Sequence, residues 1–174
     1  MAIKLDSNLL VTHDPSHAGS AKEEVEKALK AAKVKSKFIK SSTEGIFMLR
    51  ASNPKKAVRS LGKLKNKKGI FNHTFYWVPI DKWVTANVNA MKKEIKKMQK
   101  GIRKSEKWRL DLHKRNFDKM HTTELIMSLT EAIDKPNVDL ENPQRIVEVQ
   151  IIGNKAGLAL LNKNELLVVG NRQP

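Results

Sequence analysis

Residues 107–116 read Lys-Trp-Arg-Leu-Asp-Leu-His-Lys-Arg-Asn, and their chemistry is that of gripping an anion. Arg109 and Arg115 can fork onto phosphate oxygens or stack on bases, and Asn116 can read a base edge. Lys107, His113 and Lys114 add charge or hydrogen-bond donors along the same ten residues. Apolar Trp108, Leu110 and Leu112 alternate with polar Arg109, Asp111 and His113, the period of a strand with one face turned to a core. Arg109, His113 and Arg115 then share the polar face with one acid, Asp111. His121, Thr122 and Thr123 follow shortly after. The threonines suit a helix start, where free backbone N–H groups hold phosphate.

Catalytic vocabulary is sparse. The chain has no cysteine, which removes disulfides, thiolate zinc sites and cysteine nucleophiles. His13 and His17 are four apart, but Pro15 lies between them and no third ligand is evident, so no metal site is expected. His73 is isolated, and its default role is core or surface. Neither common Gly-rich phosphate loop is present, and no serine sits in a nucleophile turn. No catalytic residue and no cofactor is expected.

The segment ahead of the strand must carry it. Residues 87–106 hold an apolar stripe of Val88, Met91, Ile95, Met98 and Ile102 at helical spacing. Lys92, Lys93, Lys96, Lys97, Lys100, Arg103 and Lys104 fill the rest. Lysines often do no more than solvate such a helix, but this much fixed charge beside a basic strand fits a polyanion. The whole chain carries a formal net charge of +16 over 174 residues. Residues 136–174 are balanced, with 4 basic and 4 acidic residues, and read as core. Heat-adapted proteins can also be Lys-rich, but they are usually Glu-rich as well. Nucleic acid, chiefly RNA, is the expected partner. No apolar run is long enough to span a membrane, and the Met1–Asp6 start lacks a signal-peptide pattern; no membrane partner and a cytoplasmic location are expected.

The first half reads strand, helix, strand, strand, helix, strand: 8–12, 17–33, 37–42, 45–51, a helix opened by Asn53-Pro54 and ended by 63–69, and 71–80. Ser20 with Glu23 resembles a capping box. This order is that of a ferredoxin-like unit. Residues 79–83 read as a connection. After the basic strand come a helix with Thr122 and Thr123 as candidate caps, stopped at 135–137, and three Val/Ile/Leu-rich strands at 146–152, 157–161 and 166–169. The expected organisation is α+β: an N-terminal ferredoxin-like domain over 1–82 and a second domain over 83–174.

The second half also carries Met120-His121-Thr122-Thr123-Glu124, Val138-Asp139-Leu140-Glu141-Asn142-Pro143-Gln144 and Val147-Glu148-Val149-Gln150-Ile151-Ile152. With the basic strand, these resemble the THUMP family, named for thiouridine synthases, RNA methylases and pseudouridine synthases. The likeness spans roughly residues 75–170, and its most specific part is Val-Asp-Leu-Glu-Asn-Pro. The greatest likeness is to stand-alone THUMP proteins that assist N4-acetylcytidine formation in tRNA.

The resemblance implies an RNA-binding domain over 83–174, with a ferredoxin-like unit ahead of it that fixes the distance to the modified nucleotide. It implies a grip on the tRNA acceptor end, with Arg115 and Asn116 where the motif is polar and basic, and Lys114 and His121 near them. Asp139, Asn142 and Pro143 are structural on this reading. No acetyltransferase, methylase or sulfurtransferase signature precedes Pro174, so the expectation is an adaptor with an RNA acetyltransferase acting in trans. The alternatives are a structural ribonucleoprotein component on ribosomal RNA and an RNA-modifying enzyme with an unrecognised site.

Overall fold

The computed structural model describes residues 7–169, apart from Ser42 and Lys68. The elements in chain order are β1 (Leu9–His13), α1 (Ala18–Ala31), β2 (Ser36–Ile39), β3 (Ile46–Ala51), α2 (Pro54–Gly62), β4 (Thr74–Pro79), β5 (Lys82–Thr85), α3 (Val88–Met98), β6 (Trp108–Arg115), α4 (Thr122–Thr130), β7 (Arg145–Ile152), β8 (Lys155–Asn162) and β9 (Leu167–Val168). They form two compact units, one of residues up to Pro79 together with those from Asn164, the other Ile80–Lys163. The expected end of the second strand at Ser42, the Met1–Asp6 start and Pro174 lie outside the described residues.

The first unit holds a sheet in the order β2-β3-β1-β4-β9. With α1 and α2 it has the βαββαβ order expected of a ferredoxin-like unit, and β9 is added beside β4 through Tyr76↔Val168 and Trp77↔Leu167. Its core joins Leu9, Val11, Val25, Leu29, Leu49, Val58, Leu61 and Trp77. Helix α1 buries Ala21, Val25, Ala28 and Leu29, the predicted stripe. It begins at Ala18, after a 3-10 turn at Pro15–His17 in which the Asp14 side chain accepts from Ser16 N–H. Ser20 and Glu23 are therefore interior residues of α1, and the capping box expected there does not form. The cap of α2 is as expected: the Asn53 side chain accepts from Lys56 N–H at 3.1 Å, and Pro54 takes the first turn.

The second unit holds a sheet in the order β5-β8-β7-β6, with β6 parallel to β7 and the other pairs antiparallel. Helix α4 makes the crossover that parallel neighbours require. The connection expected over 79–83 is instead the entry to β5, whose Trp83 and Val84 face Gly157 and Ala156 of β8. Gly157 makes room there for β5, because a Cβ would lie 3.0 Å from the Ile80 side chain and 3.2 Å from that of Trp83. Helix α3 is shorter than the 87–106 segment suggests. A 3-10 turn at Gln99–Gly101 closes it and leaves Ile102 extended. The unit's core gathers Met91 and Ile95 of α3, Trp108 and Leu110 of β6, Leu125 and Leu129 of α4, and Val147, Val149, Ala156 and Leu158.

Candidate nucleic-acid interface

Strand β6 lies at the edge of its sheet. Its register with β7 puts Trp108, Leu110 and Leu112 beside Arg145, Val147 and Val149, and the apolar members of this face join the core. Arg109, Asp111, His113 and Arg115 share the other face with Ile146, Glu148, Gln150 and Ile152. The alternation predicted from sequence is present. The polar face, however, is half-buried rather than open, because Glu148 and Gln150 on it are themselves buried.

That burial sorts the basic residues. Arg109 donates to both carboxylate oxygens of Asp111, at 2.8 and 3.1 Å, and its Nη1 donates to the Leu140 carbonyl at 3.1 Å. A guanidinium with so many donors engaged is first a structural clamp. Burial pushes the His113 imidazole below its ordinary value, against the opposing pull of Asp111 and with the help of the Arg115 charge. Its Nε2 lies 3.7 Å from Glu148 Oε1. Burial pulls the Arg115 guanidinium down as well, yet it stays cationic at pH 7. Asn116, next in the chain, takes a left-handed conformation with φ 55°, which asparagine tolerates better than most residues, and it is exposed.

The end of β6 is tied to the start of α4. Lys114 Nζ donates to the Met120 carbonyl at 2.7 Å, which sets an ammonium two residues ahead of the helix. His121 is the N-cap and its side chain makes no capping bond. Thr122 and Thr123 are thus first-turn residues rather than caps, and both are exposed. The opening N–H groups of a helix have no intrahelical acceptor, and the first bond within α4 runs from Leu125 N–H to the His121 carbonyl at 3.0 Å. Lys114 thus reaches the uncapped start of α4, next to His121, Thr122 and Thr123, where a cation and free donors give positive potential, while Arg115 belongs to the other face of β6 with Arg109, Asp111 and His113 and Asn116 follows it in the chain.

The remaining predicted residues lie on α3 and the turn after it. Lys93, Lys96, Lys97 and Lys100 are exposed. Lys92 is paired with Glu131 at 3.0 Å. Arg103 and Lys104 are exposed in the loop before β6, with Arg103 N–H donating to Glu106 Oε1 at 2.8 Å. Lys107 Nζ sits 3.6 Å from Asp139 Oδ2.

The Val-Asp-Leu-Glu-Asn-Pro stretch anchors the start of β6. Val138 makes a parallel bridge to Trp108, with Trp108 N–H donating to the Asn137 carbonyl and Asp139 N–H to the Trp108 carbonyl, both at 2.9 Å. Asp139 Oδ1 accepts from the N–H groups of Asn142 and Glu141 at 2.9 and 3.0 Å, and these bonds hold its carboxyl below the usual range. Pro143 is buried. Sequence reasoning passed over Glu148 and Gln150: Gln150 Nε2 donates to Glu148 Oε1 at 2.7 Å, and Glu148 Oε2 is buried without a partner. Two polar residues inside an apolar strand were the available signal.

Among the described residues no group of three or more His, Cys, Asp or Glu side chains could hold a metal ion, and no helix is long and apolar enough to cross a membrane. No curated protein matches the sequence. The structure is similar to PH1313 from Pyrococcus horikoshii Ot3, with 15% identity, 94% of this chain and 55% of that chain covered, and a TM-score of 0.65. It is similar to TrmN from Thermus thermophilus, with 13% identity, coverage of 87% and 44%, and a TM-score of 0.58. It is also similar to a 4-thiouridine synthetase solved with RNA and bound ATP, with 11% identity, coverage of 94% and 42%, and a TM-score of 0.53. The chain thus spans about half the length of these structures, and at such identities the likeness is one of fold. In sequence, residues 85–161 match the family model of the THUMP domain, an RNA-binding domain, and the matched span lies inside the second unit.

Proposed function

We propose that this chain is a cytoplasmic tRNA-binding adaptor that grips the acceptor end and presents it to a separate RNA acetyltransferase for N4-acetylcytidine formation. The observation that carries the RNA-gripping part is the corner where β6 meets α4. Lys114 supplies charge at the helix start, the free N–H groups of Thr122 and Thr123 suit phosphate oxygens, and Arg115 and Asn116 at the end of the strand add a cation and an amide that can meet a base edge. The THUMP match supports RNA as the partner and tRNA modification as the setting. The acetyltransferase partner rests on the sequence resemblance to stand-alone members of that family.

On this reading the chain's contribution to the chemistry is positioning. Single-stranded 3′ nucleotides have unstacked bases and exposed edges, so a protein can hold them without melting a duplex. The lysines of α3 add sequence-independent attraction to the backbone, and holding the substrate in place lowers the entropic barrier for the enzyme that acts on it.

The test is reconstitution. Transfer RNA is incubated with acetyl donor and an RNA acetyltransferase, with and without this chain, and its nucleosides are analysed by mass spectrometry. The expected result is N4-acetylcytidine with both proteins present, much less with the acetyltransferase alone, and none with this chain alone. Equal acetylation without the chain contradicts the adaptor role. A modified nucleoside formed by the chain alone makes it an enzyme.

A further inference from the structure

Strand β6 ends one side of its sheet, and the hydrogen bonds at its two ends fix which residues face outward. The Lys107 carbonyl accepts from Gln144 and Arg145 N–H, and the Arg115 carbonyl from Gly153 N–H, all at the ends of β7. Trp108 turns both its N–H and its C=O the other way, to Asn137 and Asp139. Backbone groups alternate sides along such a ladder, and the β6–β7 register runs unbroken from Trp108 to Arg115. Leu110, Leu112 and Lys114 therefore aim their N–H and C=O groups outward, as Trp108 does. Among the described residues no backbone partner meets them there.

The chain itself adds a strand to this edge at one position only. Val138 bridges Trp108 in parallel. Asp139 Oδ1 then draws in the N–H groups of Glu141 and Asn142, and the chain turns away. Val138 and Leu140 are left 57% and 71% exposed where the edge opens. A simpler reading of a charged edge is protection against pairing, but here it excludes only one class of partner. Residues 103–115 hold six basic residues and two acidic ones, and Arg109 closes on the acid Asp111. A second copy laid antiparallel on β6 sets basic residues beside their own copies, which weakens a strand pair. An acidic strand meets no such barrier. RNA suits the edge less well, because each outward residue presents a carbonyl beside its N–H and phosphate oxygens have no proton to give it.

We infer that the outer edge of β6, from Leu110 to Lys114, is a docking site for an extended segment of a partner protein in which acidic and apolar residues alternate. The segment adds a strand to the sheet. Its main chain pairs with the outward groups of Leu110, Leu112 and Lys114. Its acidic side chains share the face of Arg109 and Arg115, and its apolar side chains share the face of Leu110 and Leu112. An adaptor needs a surface for the enzyme it serves. That the segment belongs to the acetyltransferase rests on the function proposed above, whereas the site itself rests on the strand edge.

The test uses the full chain and a synthetic peptide of about seven alternating glutamates and valines, enough to span the edge, with binding measured at physiological salt. Two further peptides carry N-methyl groups, one on the glutamate nitrogens and the other on the valine nitrogens. All three have the same charge, so diffuse attraction to a basic protein treats them alike. Strand addition does not, because only alternate N–H groups of the peptide face β6. In a parallel strand these belong to the glutamates, and in an antiparallel one to the valines. One methylated peptide is expected to lose about tenfold or more in affinity and the other to stay within about twofold, and the sensitive set reports the direction of the segment. Leu112→Pro is the check on the protein side. The Leu112 N–H faces outward, so proline takes no bond from β7 and blocks the added strand. The variant is expected to weaken binding of the unmethylated peptide about tenfold while tRNA affinity stays within about threefold.

Equal losses in the two methylated peptides, or no loss in either, overturn the inference. Peptide affinity unchanged in a folded Leu112→Pro variant overturns it as well. If proline unfolds the strand, the methylated pair decides alone. A wild-type dimer seen by sedimentation and lost in Leu112→Pro gives the edge to a second copy and overturns the inference. Single-stranded RNA whose affinity drops about tenfold in the folded variant gives the edge to RNA, with the same consequence. Failure of the wild type to bind tRNA, with the dependence on methyl position intact, removes the adaptor reading and leaves the edge as a peptide site.

Discussion

Glu148 shows what a single residue can reveal. It is buried on β7 with one carboxylate oxygen bound by Gln150 and the other unpartnered, and burial, reinforced by the nearby Asp111 charge, raises its carboxyl well above the ordinary value. At low pH both folded and unfolded chains carry this proton, and the group is neutral to stability. Above the ordinary glutamate range the unfolded chain ionises freely while the folded chain resists, so stability falls with rising pH until the folded value is passed. Glu148→Gln keeps the acceptor for Gln150 and removes the titration. The variant is expected to melt at the same temperature as wild type near pH 4 and higher at pH 8, with each kcal/mol recovered worth about 2–4 °C. A difference that does not depend on pH would show that Glu148 is ionised in the fold.

The two arginines of β6 separate in the same way. Arg115→Ala is expected to weaken RNA binding by about tenfold with the melting temperature nearly unchanged, the loss of roughly one charge-assisted hydrogen bond. Arg109→Ala strands the Asp111 carboxylate and the Leu140 carbonyl, and is expected to cost about 1–3 kcal/mol of stability. Affinity and melting temperature measured side by side distinguish the two, and a swap of the effects would reverse the assignment. The sequence placed both arginines on one face correctly. It carried no sign that Asp111 closes on Arg109, because spacing gives the face of a strand but not the rotamers of the side chains on it.

At the scale of elements, local chemistry was legible and tertiary termination was not. Asn53-Pro54 marks the start of α2 because an amide cap and a proline with fixed φ both favour a helix start there. The stripe Met91, Ile95 and Ile102 was readable as buried, and all three are. Nothing in that stripe says the helix ends at Met98, since Ile102 reaches the core from extended backbone after a 3-10 turn. Strand β5 escaped notice because four residues, Lys82–Thr85, are too few to show a period. Its evidence lies on β8, in Gly157. Gly157→Ala is expected to destabilise by about 1 kcal/mol or somewhat more, since the added methyl group presses on Ile80 and Trp83. Chemical denaturation measures this, and an unchanged midpoint would mean that β5 yields without cost.

At the scale of the whole molecule, the order of strands and helices was enough to expect a ferredoxin-like unit, and the sheet order bears it out. The return of β9 to pair with β4 was not readable, because a two-residue strand carries no mark of a partner some ninety residues earlier. The charge distribution was more informative. An excess of +16 predicted a polyanion partner, and in the second unit the structure sorts the basic residues into clamps such as Arg109, exposed lysines on α3, and the uncapped start of α4. The central claim is that the corner where β6 meets α4 holds a single-stranded tRNA end.

Its most direct test compares equilibrium binding of intact tRNA, tRNA trimmed of its unpaired 3′ nucleotides, and an acceptor–T-arm minihelix with the 3′ end retained, at one fixed salt concentration. The account predicts that trimming costs about tenfold or more, since the unpaired nucleotides carry the base-edge and phosphate contacts and each hydrogen bond to a charged group is worth about 1.5–3 kcal/mol, and that the minihelix keeps most of the affinity of intact tRNA. Equal affinity for trimmed and intact tRNA would contradict the account and favour a ribonucleoprotein role on internal RNA structure.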